Sequence, residues 1–142
     1  MNVSTRFTIA SHILTLLASA RNGALTSEFI AGSVNTNPVV VRRLLGLLRR
    51  SGLVSSQPGN GGGWQLLKSP DAITLLDVRR AVNEGSPFAM HSNTPNVDCP
   101  VGRNIQATLS GVYDEAEKAM ETRLAQTTIQ HLLRSVRARR RA

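Results

Sequence analysis

The chain has 142 residues, 41% of them hydrophobic and 4% aromatic, which suits one domain or one domain with an appended element. Its 17 basic and 9 acidic residues give a formal net charge of +8, and this excess favours a polyanion such as nucleic acid as partner. The absence of an apolar run of about 18 residues excludes a membrane span. The start of the chain lacks a signal-peptide pattern. A single cysteine excludes an internal disulfide. We therefore expect a cytoplasmic protein that does not enter the membrane.

Two helices are predicted in the first 34 residues. The first runs from the capping residue Ser4 to about Ala20, because apolar residues recur there at the three- and four-residue spacing of a single stripe. The second runs from the capping residue Thr26 to about Val34. The residues predicted to be buried in these two helices are Phe7, Ala10, Ile13, Leu14, Leu17, Phe29, Ile30 and Val34.

The third predicted helix has the clearest boundaries in the chain. It begins at Asn37-Pro38, where a capping side chain precedes a proline at the first helical position, and it ends at Gly52. Its predicted core face consists of Val41, Leu44, Leu45 and Leu48. Because only a few residues separate it from the second helix, the pair has the spacing of a helix-turn-helix.

A short hairpin is predicted directly after this helix. Residues 53–57 form one strand, residues 58–62 a turn with Asn60-Gly61 as the turn pair, and residues 63–68 the return strand. We expect Trp64 to pack the hairpin onto the helices. A helix-turn-helix followed by such a hairpin is a winged helix-turn-helix, so the predicted fold class is mainly α with a small β-hairpin.

The second half of the chain begins with a fourth helix, which is capped by Thr74 and Asp77 and reaches about Asn83. Residues 84–98 have no periodicity and predict a flexible loop. A long helix then opens at Pro100 and ends or bends near Arg123. Its apolar residues follow the 4, 3, 4, 3 spacing of a coiled-coil seam, namely Ile105, Leu109, Val112, Ala116 and Ala119, with Met120 beside the last.

This seam predicts a symmetric homodimer, although it could instead pack back on its own domain. A last amphipathic helix follows, with Ile129 and Leu133 among its apolar residues, before an arginine-rich tail. Five of the basic residues lie in the last nine positions, so without them the balance falls to 12 basic against 9 acidic residues. The predicted organisation is a winged helix-turn-helix domain over 1–85, a loop or sensor region over 86–100, dimerisation helices over 101–138 and a basic tail over 139–142.

Three segments together resemble the Rrf2 family of bacterial transcription regulators. They are Leu44-Leu-Gly-Leu-Leu-Arg-Arg-Ser-Gly-Leu-Val-Ser-Ser, Gly59-Asn-Gly-Gly-Gly-Trp and Lys68-Ser-Pro-Asp-Ala-Ile-Thr-Leu-Leu-Asp-Val. The resemblance implies a dimeric, sequence-specific DNA-binding regulator, usually a repressor, that acts on palindromic operators. Branches of the family that hold an iron–sulfur cluster use three cysteines, and this chain has one, so a cluster held in that way is excluded.

The third helix is the predicted reader of double-stranded DNA. Arg42 and Arg43 can pair with guanine in the major groove, and Val39 or Val40 can contact a thymine methyl. Capping residues and Arg49 suit phosphates. Many relatives carry a wing arginine where this chain has Pro58, so Gln57 and Asn60 are expected to contact only phosphate or a groove edge. The predicted DNA contacts are Thr26, Thr36, Asn37, Val39, Val40, Arg42, Arg43, Arg49, Gln57 and Asn60.

Cys99 is the residue with potential signal chemistry, and His91 is close to it in sequence. Cys99 lies at the start of the long helix, where the helix dipole favours a thiolate, so a small-molecule oxidant or electrophile could act on it. It could equally be a structural residue in a regulator that responds to a small ligand. His91, Asp98 and Cys99 are too few for a closed metal site, and no metal or other cofactor is expected.

Two further classes of protein remain as alternatives to a regulator. One is a protein-interaction adaptor, and the other is an enzyme that uses its single cysteine. The chain contains no Cys-x-x-Cys, serine triad or phosphate-binding loop. We therefore expect that the protein is not an enzyme.

Overall fold

The computed structural model describes residues 4–20 and 23–140. In chain order these form α1 (Arg6–Ser19), α2 (Ser27–Val34), α3 (Pro38–Arg50), β1 (Val54–Gln57), β2 (Gly63–Leu66), a short 3-10 turn (Pro70–Ala72), α4 (Leu75–Ala81), α5 (Pro100–Ala125) and α6 (Ile129–Arg140). The mainly helical class with one small hairpin is therefore confirmed. The chain divides into two compact units, one spanning Met1–Glu84 with Leu124–Ala142 and the other Gly85–Arg123.

The core of the first unit is built from aliphatic side chains of five helices and the hairpin. The predicted core face of α3 and the predicted α1 residues other than Phe7 are buried, and they meet Ile30 of α2 and Val78 of α4. Aromatic residues contribute only at the margin, where Phe7 and Trp64 are partly buried. The apolar periodicity of α1 and α3 thus identifies the faces on which this unit is assembled.

The structure differs from the expectation for α2, where Phe29 was predicted to be buried and is 59% exposed. The buried residues of this helix are Ser27, Ile30 and Ala31. Successive residues of an α-helix are rotated by about 100°, so a helix that directs Ile30 and Ala31 inward turns Phe29 toward solvent. Position 27, not position 29, completes the inner face because it lies one turn before Ile30 and Ala31.

Helix boundaries in the first unit follow local capping chemistry. Thr26 Oγ1 accepts a hydrogen bond from the Phe29 amide at 3.1 Å, and Thr74 and Asp77 form a reciprocal capping box. Gly52, with φ of 76°, follows α3 in the left-handed conformation that ends helices. At α1 the expected cap is shifted: Thr5 is the N-cap residue, and the Ser4 hydroxyl accepts from the Arg6 amide at 3.2 Å.

The hairpin is antiparallel, with Val54 opposite Leu66 and Gln57 opposite Gly63. Five residues therefore connect the strands, so the turn is longer than a two-residue Asn60-Gly61 turn. A third extended segment joins the hairpin, because Leu25 and Trp64 exchange backbone hydrogen bonds of 2.9 and 2.7 Å. These bonds anchor the return strand to the residues that precede α2.

The last helix, which the sequence groups with α5 for dimerisation, lies in the first unit. α6 packs in the first unit, where Ile129 and Leu133 are buried. Two backbone hydrogen bonds attach its start to the segment before α4: the Leu75 amide donates to the Thr127 carbonyl at 2.8 Å, and the Ile129 amide donates to the Ile73 carbonyl at 2.9 Å. Of the predicted tail 139–142, residues 141 and 142 lie outside the described residues.

The second unit consists of the loop after residue 84 and most of α5, which continues past Arg123 to Ala125. The loop is in contact with the helix, since the rings of Phe88 and Tyr113 are stacked with centroids 4.8 Å apart. A Cβ at Gly102 would clash with the Asn96 carbonyl oxygen, so the loop backbone lies directly against the first turn of α5. None of the described helices is both long and apolar enough to cross a membrane.

Candidate nucleic-acid interface

The turn between α2 and α3 is closed by two asparagines. Asn35, with φ of 62°, ends α2 in the left-handed conformation, and its amide donates to the Ala31 carbonyl at 2.8 Å. Asn37 then caps α3, because its Oδ1 accepts from the Val39 amide at 2.8 Å. This short connection directs the first turn of α3 outward from the unit, with Asn37 and Val39 both exposed.

The two faces of α3 have opposite character. One face is fully in the core, while the other carries Val39, which is 53% exposed, together with the exposed Arg43 and Arg50. The guanidinium group of neither arginine has a hydrogen bond or ion pair to any residue in 4–20 or 23–140. Val40, by contrast, is half-buried and less accessible. The helix therefore offers unpaired guanidinium groups and an apolar side chain on the face away from the core.

Arg42 is in a different state from Arg43, because it already has a partner within the chain. Its Nη2 lies 2.9 Å from Glu28 Oε1 at the start of α2, and both side chains are largely exposed. The pKa of the Glu28 carboxyl is held below its usual 4.5, first by a hydrogen bond from its own backbone amide and then by Arg42. A contact of Arg42 with another anion must compete with this pair. The sequence alone does not indicate this pair, because it depends on how α2 and α3 pack.

The hairpin is linked to the end of α3 through Trp64. The Arg49 guanidinium lies over the Trp64 ring at 5.7 Å from its centroid, which is within cation–π range. Gln57 and Asn60 are exposed near the tip of the hairpin. Gly62 allows its tight closure, because a Cβ there would overlap the Gln57 carbonyl oxygen. Gly63 allows the close approach of Leu25, whose carbonyl oxygen a Cβ would also overlap. The structure thus joins Arg49 to the wing, a contact that the sequence did not indicate.

The remaining predicted contacts lie at the starts of α2 and α3. Thr26 and Asn37 are exposed, and both use their side-chain oxygens as helix caps. Thr36 is half-buried in the turn. The first turn of each helix also presents amide hydrogens that have no partner within the helix, which is the arrangement that suits phosphate oxygens.

The predicted sensor residues lie in the second unit. Cys99 is exposed directly before α5, and its carbonyl accepts from the Arg103 amide at 2.9 Å. His91 is also exposed, and its carbonyl accepts from Gln106 Nε2 at 3.4 Å. Within the described part of the chain no hydrogen bond joins the side chains of Cys99 and His91, so the structure does not bring them together as a reactive pair.

The predicted seam residues of α5 are accessible in the single chain. Ile105, Leu109, Ala116 and Met120 are half-buried, and Val112 is 56% exposed. No residue of the described helix Pro100–Ala125 is fully buried. The helix therefore presents an apolar stripe that its own chain covers only in part.

Comparisons with known proteins agree on one family. A family model described as "Rrf2: Iron-dependent Transcriptional regulator" matches residues 3–135. The chain is 41% identical over 132 residues to YwnA of Bacillus subtilis strain 168, a candidate HTH-type transcriptional regulator, covering 92% of this chain and 96% of YwnA. A crystal structure of a candidate DNA-binding protein is similar to it with a TM-score of 0.71 and 38% identity, over 90% of this chain and 98% of the other.

CymR, the global cysteine regulator of B. subtilis, has the same fold, with a TM-score of 0.65 and 24% identity over 95% of this chain and 98% of CymR. This likeness concerns the fold alone, because the identity is low. It extends over nearly the full length of both chains. The resemblance is therefore not limited to the winged helix-turn-helix.

The iron named in the family description does not fit the residues of this chain. A cluster held by three cysteines needs two more than the single Cys99. In the residues that the structure describes, no three His, Cys, Asp or Glu side chains come together as a metal site requires. With a family match over nearly the whole chain and a relative matched over nearly its own full length, this protein belongs to the Rrf2 family of DNA-binding transcription regulators, in a branch without the cluster cysteines.

Proposed function

We propose that the protein is a dimeric repressor that reads a palindromic operator with α3. The observation that carries this proposal is the outer face of α3, where Arg43 and Val39 are exposed and Arg43 has no partner among the described residues. Arginine pairs with the O6 and N7 atoms of guanine, and an apolar side chain suits the methyl group of thymine. Together they provide sequence discrimination, which phosphate contacts alone do not.

Arg43→Ala tests this reading directly. An operator is first selected from random duplex DNA, and binding is then measured by fluorescence anisotropy at fixed salt. Because one bidentate base contact is lost, we expect specific binding to weaken by about 1–3 kcal/mol and discrimination at one base pair to relax. Lys118→Ala, which removes an exposed cation from α5, is the control and should leave discrimination unchanged. Full operator affinity in both Arg43→Ala and Arg42→Ala would show that α3 is not the reader.

The remaining predicted contacts are assigned to the DNA backbone. Thr26, Thr36 and Asn37 lie at helix starts, and Arg49, Gln57 and Asn60 lie on or beside the wing. Such contacts hold the register of the protein on the duplex and make affinity depend on salt. Replacing Arg49 by alanine should therefore weaken binding to all sequences similarly and reduce the salt dependence by about one counterion.

A second copy of the chain is the proposed cover for the seam of α5. A 26-residue helix is about 39 Å long, and an apolar stripe along it is more stable against a partner helix than in water. Two copies would place two α3 helices on half-sites about 34–36 Å apart, or a multiple of that. Leu109→Asp should yield a monomer in light scattering, whereas Gln106→Asp should not. A wild-type chain that is monomeric at micromolar concentration would refute this dimer.

For the signal, we propose an oxidant or electrophile that reacts with Cys99. The supporting observation is the exposure of this thiol at the start of the helix that carries the seam. Modification there would alter how the two reading helices are spaced. A quinone should weaken operator binding by the wild type and not by Cys99→Ala. Equal responses of the two proteins would favour the alternative, a small-ligand-responsive regulator in which Cys99 is structural.

The family and the relatives consist of transcription regulators, and we infer that this chain acts in the cytoplasm and has no catalytic activity of its own. The rival thiol enzyme is tested by adding peroxide to the reduced protein with a thiol reductant present. Peroxide loss no faster than with an equal amount of free cysteine fits a regulator. Sustained turnover would overturn the inference.

A further inference from the structure

Gly46 lies at the centre of the outer face of α3. Val39 and Arg43 lie seven and three residues before it, and Arg50 lies four residues after it. This spacing places all four residues on one side of the helix. The buried residues of α3, Val41, Leu44, Leu45 and Leu48, lie on the opposite side. The position between the two unpaired arginines therefore carries no side chain.

The fold does not require glycine at this position. A Cβ at residue 46 would have no heavy atom within 4 Å, and the backbone there has no positive φ. Gly62 and Gly63 contrast with it, because a Cβ at either would overlap backbone atoms. Glycine in the interior of a helix is less favourable than alanine, since it loses more conformational freedom on folding. In the isolated protein, Gly46 thus weakens α3 without relieving any contact.

We propose that Gly46 is the point at which the backbone of α3 contacts operator DNA in the major groove. This inference rests on the proposed function, in which α3 reads DNA. Without a Cβ at its centre, the helix can approach the base edges more closely, as backbones do wherever glycine permits close approach to a ligand. Arg43 and Arg50, one turn to either side, then reach the duplex without a side chain between them. Any larger residue at 46 holds the helix outward and lengthens the hydrogen bonds of Arg43, whose strength falls steeply with distance and angle.

Replacing Gly46 by a larger residue should therefore raise stability and weaken DNA binding. Gly46→Ala and Gly46→Leu are measured by thermal unfolding at one protein concentration and by anisotropy with the selected operator. Alanine and leucine are both good helix formers, so both variants should unfold roughly 2–4 °C above the wild type. Operator binding should weaken about tenfold for Gly46→Ala and further for Gly46→Leu, because the added atoms occupy the contact.

Gly111→Ala is the matched control. Gly111 lies inside α5, which belongs to the other unit, and a Cβ there also has no heavy atom within 4 Å. This variant should gain thermal stability similarly and bind the operator as the wild type does. If Gly46→Ala and Gly46→Leu bind the operator with wild-type affinity while Arg43→Ala does not, the close approach is refuted and the reading by α3 stands. If Arg43→Ala and Arg42→Ala also bind normally, both proposals fail.

Discussion

α3 and α5 are both helices with an apolar stripe, yet the two stripes have different surroundings. The stripe of α3 is completely buried in the first unit, whereas the stripe of α5 is half-buried or exposed throughout. α3 is held by its own chain, so the residues of its other face are available to contact a ligand. α5 has no fully buried residue. The proposed function follows this difference, with α3 acting through its outer face and α5 through its apolar one.

The largest expected difference between α3 and α5 is in how substitutions in their apolar stripes change the stability of the protein. Leu45→Ala removes a side chain that is 0% exposed, and it should lower the free energy of unfolding by about 2–5 kcal/mol in urea denaturation, because a cavity remains in the core. Leu109→Ala on α5 should have an effect that depends on protein concentration, since its contacts lie in the proposed dimer. A concentration-independent loss of equal size for Leu109→Ala would show that the seam is covered within one chain.

The next effect concerns the residues that directly precede α3 and α5. Asn37→Ala removes the hydrogen bond to the Val39 amide, so it should destabilise the protein by about 1 kcal/mol, as the loss of a helix cap does. Cys99 precedes α5 and makes no side-chain hydrogen bond within the described chain. Cys99→Ala should accordingly leave stability nearly unchanged under reducing conditions. A loss of stability in Cys99→Ala equal to that in Asn37→Ala would assign Cys99 a structural role.

The smallest effect comes from the ion pair on the outer side of α3. Glu28→Gln releases Arg42 and removes a negative charge near the bound DNA, so operator binding at neutral pH should become slightly tighter. Arg50→Gln is the opposite change, because it removes an exposed positive charge from α3. This variant should weaken operator binding. Weaker operator binding by Glu28→Gln would indicate that the pair positions Arg42 for a contact.

The pH dependence of this pair has a defined sign. The pKa of Glu28 is lower in the folded protein than its usual 4.5, so folding favours the ionised carboxylate. Its stabilising contribution is present above pH 4.5 and disappears as the pH falls through the lower folded pKa. In parallel unfolding experiments the wild type should therefore lose stability relative to Glu28→Gln only below about pH 4.5. A difference that instead changes near neutral pH would assign the titration to another group.

Local chemistry explains why α3 could be predicted in full and α2 could not. The cap at Asn37, the four core positions and the stop at Gly52 are each set by neighbouring residues or by helical spacing. In α2, several adjacent apolar residues allow more than one inner face. The packing of Ile30 excludes Phe29 from the core. A short helix with an ambiguous stripe therefore needs its neighbours before its orientation is determined.

The candidate DNA-binding site, too, could be predicted only in part from the sequence. The basic outer face of α3 follows from its period, and Val39 and Arg43 are exposed as expected. The state of each arginine was not predictable, because the partners Glu28 and Trp64 come from other elements. Arg42 is paired, Arg49 lies over an indole ring and Arg43 is unpaired in the described chain.

By itself, the sequence determined the positions of the helices, the hairpin and the residue types on each helix face, because capping, periodicity and turn formation depend on residues close in the chain. Only the tertiary structure decided that α6 packs in the first unit and that the seam of α5 is covered only in part by its own chain. Both α5 and α6 have an amphipathic pattern, and such a pattern specifies a buried face without specifying its partner. The partner depends on which apolar surfaces meet when the chain folds.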